Sequence, residues 1–92
     1  MNVAFESEYR WDGDRYAMAF PARTDSRRIV CLISGEALQD YFGASGRHEA
    51  MEEAFLRNRP SIESIARALI EGGRVDKSDK VLIRAVDVAA CA

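Results

Sequence analysis

Histidine and tryptophan each occur once in this chain, and proline and cysteine twice. The groups on which catalysis and metal binding most depend are therefore scarce. One imidazole excludes any zinc site built on two histidines. Cys31 sits inside an apolar run and Cys91 one residue from the end, so they form neither a metal-binding nor a redox spacing. Cys31 reads as core and Cys91 as an exposed thiol, and a disulfide between them would require an oxidising compartment. Long apolar runs are also missing. The longest strongly apolar one is Ile29 to Ile33, far below the roughly 20 residues of a membrane-spanning helix. MNVAFESEYR places Glu6 and Glu8 where a secretory leader would carry a basic patch and an apolar stretch, so the expectation is a cytoplasmic protein with no membrane contact. A charge of one sign is lacking too. Thirteen basic and fifteen acidic side chains leave a net charge of −2, and nucleic acid is not the default partner on that balance.

What is present is hydrophobic pattern. At 92 residues the chain predicts one domain over 1–92, because a chain of this length folds around a single core. Val3 and Phe5 alternate with polar neighbours, and Tyr9 and Trp11 lead into Asp12-Gly13, a dipeptide suited to a tight hairpin because glycine tolerates positive φ. Tyr16, Met18 and Phe20 then form one face of a return strand. Beyond Pro21 and the polar stretch Arg23 to Arg27, Ile29 to Ile33 reads as a central strand buried on both faces.

CLISGEALQDYFGASG, residues 31 to 46, runs from that strand through Ser-Gly into a helix. Such a junction suits either an anion-binding loop or a capped helix. A phosphate loop needs several glycines and a nearby cation, whereas Glu36 occupies the positive end of the helix dipole here. Ser34 is therefore predicted to cap a helix carrying Ala37, Leu38, Tyr41 and Phe42 on one stripe, with Gly43 as its left-handed stop. From Arg47 to Glu71, Met51, Phe55, Ile62, Ile65 and Leu69 keep one phase, with Glu53–Arg57 and Glu63–Arg67 as i,i+4 pairs outside it. Pro60 removes a helical hydrogen bond and predicts a kink or break near Asn58 to Pro60. Gly72-Gly73 ends the element, and Val81 to Val86 reads as a last strand. The expected fold is α+β, a small mostly antiparallel sheet in the order β-β-β-α-α-β with helices packed on one face.

Four stretches in fixed order, WDGDRYAMAFPA, VCLISGEALQDYFGA, AFLRNRPSIESIARALIEGG and VLIRAVDV, resemble the small bacterial family catalogued as domain of unknown function 1488. The resemblance covers nearly the whole chain. It implies an α+β domain of the proteobacterial cytoplasm and carries over no catalytic or cofactor residue.

Read for chemistry, the residues point the same way. In RHEAMEE, His48 and Glu52 lie four apart and could offer two metal ligands, but no second histidine completes a site, and a solvated helix start accounts for them. DGD at 12–14 and DKSD at 76–79 lack the ligand ladder of a calcium loop and read as turns. No Ser-His-Asp or Cys-His setting is recognisable. No catalytic, cofactor or metal residue is assigned, although acid–base work by surface carboxylates stays open, since separation in sequence says nothing of separation in space.

Arg10, Arg15, Arg23, Arg27 and Arg28 fall in or beside the first two hairpins with Tyr9 and Trp11. Arginine and aromatic residues together favour protein contacts, which makes Tyr9, Trp11, Arg15, Arg27 and Arg28 the candidate partner-contact residues. The expectation is a non-enzymatic protein-interaction or regulatory module that presents one sheet face to an unknown protein partner. The alternative is a small-ligand or nucleic-acid binding domain on the arginine-rich hairpins. Positions 51, 55, 58, 62, 65 and 69 also step by fours and threes. Asn58 is thus either a polar register-setting residue in a homodimer seam or a cap for the second helical half, and packing on the sheet is the expected use of the stripe.

Overall fold

The computed structural model describes residues 2–91. Two short strands, β1 (Ala4–Phe5) and β2 (Arg10–Asp12), line one edge of β3 (Ala17–Arg23), which pairs antiparallel with β4 (Arg28–Ser34). Three helices follow: α1 (Gly35–Tyr41), α2 (His48–Arg57) and α3 (Arg59–Glu71). They carry the chain over one face to β5 (Lys80–Ile83), which adds parallel to β4, and α4 (Ala85–Cys91) closes the helical layer against α1 and α3. The α+β class, the mostly antiparallel sheet and the one-sided helix layer expected from the sequence are all present.

Alternation along β3 and β4 divides the two faces. Met18, Phe20, Ile29, Cys31 and Ile33 point to the helices and join Leu38, Met51, Phe55 and Ile62 in the core. Ala17, Ala19, Val30 and Leu32 point the other way and form a second, small cluster. The helical stripe Met51, Phe55, Ile62 and Leu69 is buried against the sheet, which leaves Asn58 and Ile65 half-buried.

The stretch read as one first strand is two, and Pro21 gives the reason. A proline inside a seven-residue central strand has no N–H for a neighbour. β1 pairs with Ala22 and Arg23 and β2 with Ala17 to Ala19, so the gap between them falls opposite Phe20 and Pro21. Only the Pro21 carbonyl is used there, accepting from the Glu6 amide at 3.4 Å. The carbonyls freed by the bulge are satisfied by Arg59. Its Nη1 donates to Ser7 O at 2.9 Å, and its Nη2 to Glu8 O at 3.1 Å and to Glu6 O. Nε donates to Glu63 at 2.8 Å, and the guanidinium lies 5.2 Å from the Phe55 ring centre. Backbone carbonyls without partners would destabilise the edge by about 1–3 kcal/mol each if buried.

Several local expectations are corrected. In the β2–β3 turn the left-handed residue is Tyr16 (φ 51°), not Gly13, because Asp12 Oδ1 accepts from the Asp14 and Arg15 amides and fixes the turn's first half. Tyr16 thereby leaves the strand face assigned to it. Glu63 pairs with Arg59 rather than Arg67, and Arg67 donates to Val3 O at 3.1 Å. The helix does break at Asn58, but Asn58 Nδ2 donates back to Ala54 O at 2.9 Å. It therefore closes α2 and offers no side-chain cap to α3. Pro60 falls in the first turn of α3, where a missing N–H leaves no bond unmade. The last strand stops at Ile83. Asp87 Oδ2 accepts from the Arg84 amide at 2.9 Å, half of a capping box that starts a helix where alternation suggested more strand.

Other readings hold. Ser34 Oγ accepts from the Ala37 amide at 3.1 Å, and Gly43 (φ 74°) ends α1. The Glu53–Arg57 pair forms. Both thiols are free, Cys31 buried and Cys91 exposed. No helix among the described residues is long and apolar enough to cross a membrane.

Candidate functional site

The sheet face away from the helices has no covering layer among the described residues. Register places Arg10, Ala19, Leu32 and Leu82 abreast across four strands, with Pro21, Val30 and Lys80 in the next row. Ala17, Ala19 and Leu32 at its centre are buried, so the apolar surface left to solvent is Leu82 and part of Val30. Leu82 is 46% exposed, Val30 half-buried, and Leu32 sheltered by its neighbours. Where β1 and β2 part, a depression of about 260 Å³ opens, lined by Glu8, Arg10, Pro21, Arg28 and Val30 among others.

Charge surrounds this centre. Arg23 Nε donates to Glu6 at 2.7 Å, and Arg28 lies 3.9 Å from both Glu6 and Glu8. The Arg23 bond, followed by one from Glu8, holds the Glu6 carboxyl below its usual range. Among the described residues Arg10 and Lys80 form no ion pair, and both stand on this face at opposite edges of the sheet.

The five candidate contact residues do not form one patch. Arg28 borders the open face, and Tyr9 lines the same depression. Arg15 lies in the β2–β3 turn beside Asp12 at 3.4 Å. Arg27 lies at the other end of the β3–β4 hairpin, 3.0 Å from Asp79. Trp11 faces the helices, half-buried, with its ring centre 5.3 Å from Tyr16 and 5.6 Å from His48.

A second groove of about 400 Å³ runs along that side between Tyr9, Trp11, His48 and Glu52. The Tyr9 hydroxyl donates to Glu52 at 2.7 Å, a bond that, with burial, pushes the phenol above its ordinary pKa. His48 and Glu52 thus meet aromatic partners. Among the described residues no group of three or more His, Cys, Asp or Glu side chains is placed to hold a metal. Burial, with Glu63 adding to it, pushes the Cys31 thiol up to about 12, far from a usable thiolate.

Leu32, Lys80 and Leu82 were not singled out from the sequence. For the two leucines a signal was available, since IVCLI is apolar at outward as well as inward positions and Leu82 is an outward apolar residue of KVLI, whereas a strand with one wet face alternates; Lys80 carried none.

A family model described as protein of unknown function (DUF1488) matches residues 3–83. The crystal structure of a protein of unknown function from that family, from Shewanella loihica PV-4, is similar over 90% of this chain and 94% of its own, with a TM-score of 0.77 and 24% identity. At that identity the likeness carries the fold alone. No curated protein matches the chain.

Proposed function

This chain belongs to the DUF1488 family, and we propose that it is a non-catalytic protein-interaction module whose docking surface is the uncovered sheet face. The observation that supports this reading is Leu82, 46% exposed beside Leu32 in a parallel strand pair. β4 is apolar on both faces, with helices on only one. Exposed Leu82 and half-buried Val30 within an arginine- and lysine-bearing rim have the anatomy of an interface. The arginine-rich hairpins have less support as a nucleic-acid site. Arg15 and Arg27 are separated by the length of β3, about 20 Å, and Arg15, Arg23, Arg27 and Arg28 each face a carboxylate.

The test is site-specific photocrosslinking in the source cells, with benzoylphenylalanine at position 82 and, as control, at Ala68, which is exposed on the helical side. One dominant protein crosslinked at 82 and absent at 68 is the expected result. The same background at both positions would overturn the choice of surface.

A further inference from the structure

Resting on that reading, we infer that the occupant of the open face is an acidic amphipathic helix of a partner protein, laid across the strands. The sheet edges exclude the other common mode, an added strand. On the free side of β5, the Lys80 amide donates to Asp76 Oδ1 at 3.0 Å and its carbonyl accepts from the Asp76 amide at 2.8 Å. The Arg84 amide is bound by Asp87. Alternation then leaves Leu82 alone to offer edge-facing groups, too little for a ladder. The opposite edge is interrupted between β1 and β2, and Arg59 holds the carbonyls of the bulge.

Face-on docking remains, and it selects a helix. An extended segment pressed on Val30 and Leu82 would desolvate backbone N–H and C=O groups with no partner in reach. A helix satisfies its own. Ala17 and Ala19, small and buried, put no bulky side chain in the way of close approach to Val30 and Leu82.

Charge selects the kind of helix. Arg10 and Lys80 are unpaired among the described residues and stand across the apolar centre from each other, three strand spacings and one row apart, roughly 15 Å. Two carboxylates about eleven residues, or three turns, apart lie on one side of a helix and span roughly the same distance. They would bracket an apolar stripe over Val30 and Leu82. A second copy of this face would set Arg10 and Lys80 against like charges, which argues against a face-to-face homodimer.

The experiment is selection from a displayed library of peptides about 16 residues long, roughly 24 Å if helical, unbiased in charge and helicity, on the full chain. The selected pool is expected to be acidic, helical by circular dichroism when bound, and weakened at least tenfold by Leu82→Glu and by the pair Arg10→Glu, Lys80→Glu. A pool that is basic, extended or indifferent to the charge reversals, yet lost with Leu82→Glu, would overturn the acidic helix and leave the surface standing. An empty pool would also overturn the helix, with the position-82 crosslink then deciding the surface. A pool indifferent to Leu82→Glu would overturn both. Unchanged unfolding midpoints for the variants keep loss of fold from being read as loss of binding.

Discussion

The ring of Tyr16 occupies the space that a side chain at Gly35 would need. The Gly35 amide donates to the Tyr16 carbonyl at 2.8 Å, and a Cβ on residue 35 would lie 2.7 Å from Cδ2 of the ring. Tyr16 holds φ at 51°, which disfavours a non-glycine residue by roughly 1–2 kcal/mol. Its edge-on contact with Trp11 and the hydrogen bond its hydroxyl accepts from Gln39 at 3.2 Å offset that strain.

Gly35→Ala is expected to lower stability by about 1–3 kcal/mol through overpacking, seen as a lower urea midpoint at unchanged slope. In a Tyr16→Gly background the same change is expected to cost less than about 1 kcal/mol. Equal losses in both backgrounds would show that the ring is not the obstacle.

Arg59 joins α3 to the bulge between β1 and β2 through three carbonyls and to α3 itself through Glu63. Arg59→Ala is expected to destabilise by about 2–4 kcal/mol. Arg59→Lys keeps the charge but lacks the planar fork and the stacking on Phe55, so it should recover less than half. Full recovery by lysine in urea titrations would reduce the role of Arg59 to charge alone.

The two thiols should separate cleanly. Cys31 is buried with its pKa pushed up to about 12, whereas Cys91 is exposed. With a disulfide reagent at pH 8 the folded protein should release one equivalent quickly, and the second only on unfolding. Two fast equivalents from folded protein would place Cys31 within reach of solvent.

Acid should weaken the fold in a defined window. Burial opposes the charge on Asp87, but the Arg84 amide and guanidinium and then Arg74 outweigh it, and its pKa is lowered. Glu6 is lowered chiefly by Arg23. Asp12 is lowered because bonds from Arg15 and Asp14 overcome its desolvation. A carboxyl whose folded pKa lies below its unfolded value stabilises above the unfolded value, near 4, and that contribution is lost as pH falls through the folded one. Asp87→Asn is expected to lower stability at pH 7 by about 1 kcal/mol and to converge with the native chain once the pH falls below the lowered folded pKa of Asp87. Melting curves that stay parallel from pH 7 to the acid limit would contradict this.

Local physics made much of the fold legible. The Ser34 cap, the Gly43 stop, the break at Asn58 to Pro60 and the two-sided apolarity of Ile29 to Ile33 each depend on a few neighbouring residues, and the sequence alone determines them. The α+β class and family membership follow from the order of those signals. Tertiary structure decided the rest, because the deciding partners are distant in sequence. Pro21 shows no reason to split a strand until β1 and β2 lie beside it, and Arg59 reaches carbonyls 51 to 53 residues away. The open face belongs to the same class. Leu82, Val30, Arg10 and Lys80 become one surface only when the pairing of β2 through β5 sets their register, since pairing between strands, and not spacing along the chain, fixes which side chains stand abreast.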